Sequence, residues 1–127
     1  MSLTILTVDD SRMMREMLKL ALCDNGFDVV QAEDGEDGLR QLSLSNVDVI
    51  ITDINMPRLN GFEFIERVRI DMGRRGVPIL ILSTETGPEM KARAKAAGAT
   101  GWITKPFNKE KLIAAIRRVA AMPSVER

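Results

Sequence analysis

The chain has 127 residues, 45% apolar and 28% charged, enough for one globular domain with a single core and too few for two. Lys plus Arg and Asp plus Glu number 18 each, so no bulk charge argues for nucleic acid or an anionic membrane, and no apolar run approaches a membrane span. With no His, no Tyr and one Trp, His-based acid–base catalysis and His-ligated metals are excluded, and a stacked flavin finds few aromatic partners. The single cysteine, Cys23, rules out an intramolecular disulfide, and the N-terminus enters a strand pattern without a signal peptide. A cytoplasmic protein is the expectation.

Leu3 to Val8 reads as a buried strand ending at Asp9 and Asp10. From Ser11 the period changes: Met14, Met17, Leu18, Ala21 and Leu22 fall at i, i+3, i+4, i+7 and i+8, the core stripe of an amphipathic helix. Ser11 or Asp10 can cap its start, and Asn25-Gly26 stops it. Cys23 reads as a small buried hydrophobe and the Met-rich helix face as core. Phe27 to Ala32 gives a second strand. Asp34 then caps a helix with Leu39 and Leu42 inward, its first turn weakened by Gly35 and Gly38.

Val47 to Asp53 is the third strand, with five Val, Ile or Thr among its first six residues, and it runs into the turn Ile54-Asn55-Met56-Pro57. Asn60 with Glu63 resembles a capping box and opens a helix through about Met72. Gly73-Arg74-Arg75-Gly76 is a loop too short for a nucleic-acid patch. Pro78 to Leu82 is an apolar fourth strand ending at Ser83. Gly87-Pro88-Glu89 starts a helix whose inner stripe is Met90, Ala94 and Ala97, with Lys91, Arg93 and Lys95 on a solvated face, and Gly98 ends it. Gly101 to Thr104 is a short fifth strand running into Lys105-Pro106. Asn108 caps a last helix carrying Leu112, Ile116, Val119 and Ala120 inward, and a polar tail follows from Pro123.

Five βα repeats imply an α/β fold, a doubly wound parallel sheet with helices on both faces and right-handed crossovers. All strand carboxyl ends then share one edge. Strand one delivers Asp9 and Asp10 there, strand three Asp53, strand four Ser83 and strand five Lys105. Taken singly, Asp9, Asp10 and Ser11 could merely cap a helix, Asp53 sit in a turn, and Lys105-Pro106 end a strand. No stability argument requires the five to converge. Clustered carboxylates repel one another unless a cation intervenes, and Mg²⁺ needs only one or two of them plus phosphate. A Lys and a Ser hydroxyl can receive phosphoryl oxygens. Together they make a phosphoryl-transfer site with a carboxylate nucleophile.

The set D-D-S, D-I-N-M-P, S-T-E and K-P-F, in that order at successive strand ends, resembles the receiver domain of bacterial two-component response regulators, of the single-domain CheY-like kind. The resemblance covers residues 1–122 as the domain, leaving 123–127 as tail, and implies a flavodoxin-like sheet of order 2-1-3-4-5. It implies that Asp53 accepts a phosphoryl group from the phosphohistidine of a sensor kinase of CheA-like type. It places Mg²⁺ on Asp10, Asp53 and the Asn55 backbone carbonyl, with Asp9 acting through water at the metal. Lys105 pairs with the phosphoryl group and Ser83 is the switch hydroxyl. Trp102 takes the switch aromatic position, usually Tyr or Phe, while Asn55 and Glu85 tune dephosphorylation. Thr84 stands where Ala is usual, narrowing access to the site. Lys105-Pro106 is commonly cis in this family.

The function so implied is a phosphorylation-controlled interaction switch, most simply in chemotaxis, with an effector such as a flagellar motor switch component. It is not an enzyme beyond its own phosphotransfer and autodephosphorylation, and it binds neither nucleic acid nor membrane. One alternative is a phosphate sink without an effector. A haloacid-dehalogenase-type phosphohydrolase is another, weakened because Asn55 stands where its acid would be. A flavodoxin-like flavin protein lacks the phosphate loop after strand one.

Overall fold

Stretches rich in Val, Ile and Leu become strands, and the amphipathic segments between them become the helices that cover the sheet. The computed structural model describes residues 2–121, so the tail expected at 123–127 lies outside the described residues. The elements run β1 (Thr4–Val8), α1 (Arg12–Cys23), β2 (Asp28–Ala32), α2 (Gly35–Leu44), β3 (Val49–Thr52), α3 (Gly61–Arg69), β4 (Ile79–Ser83), α4 (Pro88–Ala97), β5 (Gly101–Thr104) and α5 (Lys109–Ala121). The strands pair in the order β2-β1-β3-β4-β5, each pair parallel. This is the flavodoxin-like order that the resemblance implied.

Successive side chains of a strand point to opposite faces, so apolar runs on the central strands build two cores. On one face Leu6, Val8, Ile50, Ile79 and Ile81 pack with Leu42, Phe64, Ile65 and Val68 from α2 and α3, and with Ala94 from α4. On the other, Ile5, Val49, Ile51, Leu80 and Leu82 pack with Leu18 and Leu22 of α1 and Leu112 and Ile116 of α5. Both cores hold the strand ends in register. Val8 lies opposite Thr52, and Ser83 opposite Thr104.

Caps set the helix starts. Ser11 accepts from the Met14 amide, Asp34 from the Asp37 amide and Asn108 from the Lys111 amide, and Asn60 with Glu63 forms the full capping box.

Four local expectations change. Met17 is 46% exposed, because it precedes Leu18 by one residue and lies about 100° around α1 from it; Met14, Leu18, Ala21 and Leu22 carry the inner face. Cys23 is exposed rather than buried, in helical register with the exposed Arg12, Glu16 and Lys19. Helix α3 ends at Arg69 and not near Met72, since the Met72 amide reaches back five residues to Arg67 and the chain widens out of the helix. Arg93 is not only solvated: its guanidinium stacks 4.2 Å from the centroid of the Phe62 ring.

Candidate functional site

The β1–β3 pairing puts two acidic strand ends side by side. The Asp9 amide donates to Ala32 O (3.1 Å) and the Asp53 amide to Val8 O (2.9 Å), so both residues are held by the ladder just beyond their strands. Gly61, the first residue of α3, lies against the backbone of Asp53 and Ile54; a Cβ there would come 2.8 Å from Ile54 Cα. Only glycine lets α3 start so close to the turn that follows β3.

Lys105 joins the two acids. Its amide donates to Ser83 O (2.8 Å), which hangs the residue from β4, and the Lys105-Pro106 bond is cis. Its Nζ donates to Asp53 Oδ2 at 2.9 Å and to Asp9 Oδ2 at 3.0 Å. All three side chains are largely buried, with 12% of the Lys105 and Asp53 side chains and 3% of that of Asp9 exposed. The remaining oxygens are used as well: the Ser11 amide donates to Asp9 Oδ1 (2.9 Å) and the Ile54 amide to Asp53 Oδ1 (2.7 Å).

Electrostatics follow from this crowding. Burial pushes the Asp9 carboxyl above its ordinary value, the nearby Asp53 charge adds to the rise, and the Ser11 amide and Lys105 oppose it. Burial works against the Lys105 ammonium, yet its hydrogen bonds to Asp53 and Asp9 outweigh that and hold it above its ordinary value. Asp10 is exposed at the mouth, and carboxylate oxygens of Asp9, Asp10 and Asp53 lie within 4.8 Å of one another. Three carboxylates against one ammonium leave two negative charges unbalanced, and every donor is a hard oxygen. That donor set fits a small divalent cation.

The residues expected to read the site are linked by one backbone. Ser83 is fully buried, and its Oγ accepts from the Glu85 amide at 3.2 Å, the local turn that a Ser makes with the residue two ahead. The Glu85 carbonyl in turn accepts from Trp102 Nε1 at 3.0 Å. Trp102 is half-buried against the α2–α4 core, while Thr84 and Asn55 are exposed near the strand ends. Thus Asp9, Asp10, Asp53 and Lys105 converge directly, and Ser83 and Trp102 meet through Glu85.

Sequence reasoning missed one pair beside this site. The sequence marks Asp34 only as a cap and does not mark Arg58, yet the Arg58 guanidinium bonds Asp34 Oδ2 (Nε at 3.0 Å). The cap pattern signalled Asp34, whereas nothing in the spacing pointed from it to Arg58.

A doubly wound parallel sheet with an acidic cluster at its β1/β3 switch point is the class that fold and site define together. Residues 5–117 match the family model of the response regulator receiver domain, and the chain belongs to that family, the receivers of two-component signalling. Among solved structures it is similar to chemotaxis protein CheY4 of Vibrio cholerae, with 45% identity and a TM-score of 0.89 over 94% of this chain and 99% of that one. It is 40% identical over 115 residues to chemotaxis protein CheY1 of Helicobacter pylori, covering 85% of this chain and 92% of that protein. Protein PilG of Pseudomonas aeruginosa is 34% identical over 122 residues, 96% of this chain and 89% of that protein. Other curated relatives are longer, and the chain spans about half their length.

Proposed function

We propose that this receiver is a phosphorylation-controlled interaction switch whose acceptor is Asp53 and whose cation is Mg²⁺. The observation that carries the reading is the Lys105 ammonium, bonded at once to Asp9 and Asp53 with the Asp10 carboxylate beside them. Asp10, Asp53 and the Asn55 carbonyl would hold Mg²⁺, with Asp9 behind them. Bound there, the cation would draw charge from the phosphoryl oxygens during transfer.

Asp53 does the covalent step. A carboxylate oxygen forms the O–P bond as the P–N bond of the donor phosphohistidine breaks, and the departing imidazole keeps the electron pair. Lys105 exchanges a carboxylate oxygen of Asp53 for a phosphoryl oxygen and so stays paired. Ser83 turns its hydroxyl from the Glu85 amide to the same group. Freeing that amide loosens the Glu85 backbone and with it the hydrogen bond that holds the Trp102 indole, so the event at Asp53 reaches α4, β5 and α5. Asn55, Thr84 and Glu85 stand at the mouth and set the access of water to the acyl phosphate, the one bond the protein makes and breaks.

The likeness to chemotaxis proteins supports a CheA-like sensor kinase as donor and an effector such as a flagellar motor switch component. No helix among the described residues is long and apolar enough to cross a membrane; the cytoplasmic site of action belongs to the two-component reading itself. Trp102 is the only tryptophan, so its fluorescence reports the switch alone. Beryllofluoride with Mg²⁺, a phosphoryl mimic, is expected to change that fluorescence in the wild-type protein and not in Asp53→Asn. An equal change in both would refute the acceptor.

A further inference from the structure

Arg58 is the one described non-glycine residue with a positive φ, 67°, a conformation that residues with side chains rarely adopt. Something must hold it there. Its guanidinium donates through Nε and Nη2 to a single oxygen, Asp34 Oδ2, while Asp34 Oδ1 takes the Asp37 amide at 2.8 Å. Asp34 is 2% exposed, whereas 57% of the Arg58 side chain faces solvent. A buried carboxylate at the entry to α2 therefore grips the turn that follows β3.

That turn, from Asp53 to Asn60, is fixed at other points too. The Ile54 amide bonds the Asp53 carboxylate, and the Gly61 amide donates to Ile54 O at 2.8 Å. At its far side Gly35 fits against Leu59, since a Cβ on Gly35 would come 2.8 Å from the Leu59 carbonyl. Asn55 lies between the Asp53 end and the Arg58 anchor. Its carbonyl can serve a cation only if both ends of the turn stay in place.

We propose that the Asp34–Arg58 pair is a positioning device for the cation site, locking the Asp53–Asn60 turn so that the Asn55 carbonyl and the Asp53 carboxylate face the cation together. This rests on the reading of the site as one for Mg²⁺. Neither residue is a ligand. A mere field effect makes an opposite prediction: removing the positive charge of Arg58 would tighten Mg²⁺ binding, and removing the negative charge of Asp34 would weaken it. Positioning weakens it in both.

Calorimetric titration with MgCl₂ separates the two. Arg58→Ala is expected to weaken binding about tenfold, the scale for partners that orient metal ligands. Asp34→Asn, which keeps a competent helix cap, is expected to shift in the same direction, and the double variant to match the weaker single one. Arg58→Lys recovers part of the affinity. Arg58→Gly, free of the left-handed cost, weakens binding as Arg58→Ala does. Opposite shifts for the two singles, additive effects in the double variant, unchanged affinity, or wild-type affinity in Arg58→Gly would each overturn the proposal. If the wild-type protein takes up no Mg²⁺, the reading of the site falls and this proposal with it; wild-type uptake with unaltered variants overturns the pair alone.

Discussion

The Lys105 ammonium bridges two carboxylates, and that decides what its removal does. In Lys105→Met, Asp9 and Asp53 face each other across a largely buried space with no cation between them. Breaking such a pair from one side costs about 3 kcal/mol. Urea unfolding in chelator is expected to show that loss, and added Mg²⁺ to recover part of it; a variant as stable as the wild type in chelator would contradict the ion pair. Thr7 is the opposite case. It is fully buried on β1, and its hydroxyl has no partner among the described residues. Thr7→Val keeps the shape and removes the unsatisfied group, so the urea midpoint is expected to rise, by about 1 kcal/mol in stability. Asp9, Asp53, Ser83 and Lys105 were legible because each ends an apolar run, and a parallel sheet gathers such ends on one edge. Arg58 was not, because an ion pair 24 residues apart leaves no periodic mark.

Among the elements, helix α4 is the least anchored. Its only fully buried residue is Ala94, with Met90 and Ala97 partly buried beside it. Its C-terminal end is held by Arg69, whose Nε and Nη2 donate to Gly98 O at 3.1 and 2.8 Å and whose Nη1 donates to Arg74 O and Val77 O. Burial pulls the Arg69 guanidinium below its ordinary pKa, and the carbonyl of Gly98 at the negative end of α4, with the loop carbonyls of Arg74 and Val77, compensates it. Hydrogen exchange is expected to be faster in α4 than in α3, and Arg69→Met to speed it further near Gly98. Exchange in α4 as slow as in α3 would contradict the weak anchoring. The same Arg69 explains why the sequence misplaced the end of α3: the side chain recruits carbonyls from the following turn, a tertiary event invisible to periodicity. Helix starts were legible because Ser11, Asp34, Asn60 and Asn108 announce them locally.

The cap of α2 also carries a pH signature. Burial raises the Asp34 carboxyl, but the Asp37 amide and the Arg58 guanidinium outweigh it, and the group lies below its ordinary 3.8. The folded protein therefore releases this proton at a lower pH than the unfolded chain does. The stability Asp34 contributes is complete above the ordinary carboxylate value and is lost as pH falls through the lower folded value. Asp34→Asn is expected to flatten that part of the stability–pH curve in urea unfolding. A curve as steep as the wild type's would assign the acid sensitivity to other carboxylates.

For the whole molecule the βα alternation was enough to read a parallel sheet covered on two faces, since uninterrupted apolar strands require both faces to be buried. Strand order was not readable from periodicity; it came from the likeness of the strand-end motifs to receivers. The spacing carries no mark of a partner either, because periodicity records burial within the chain and not contacts made outside it. In the proposed switch, a move from 1:99 to 99:1 takes a bias of about 5.5 kcal/mol between its states, which contacts of Lys105 and Ser83 with the phosphoryl group would have to supply.

The proposed switch depends on Asp53 taking up a phosphoryl group. The most direct measurement is intact mass spectrometry after mixing the protein with a phosphorylated sensor histidine kinase and Mg²⁺. The wild type is expected to gain the mass of one phosphoryl group, labile to hydroxylamine as an acyl phosphate is, and to gain none in chelator, while Asp53→Asn gains none in either. Equal uptake by Asp53→Asn, or none by the wild type from any phosphorylated histidine donor, would contradict the account.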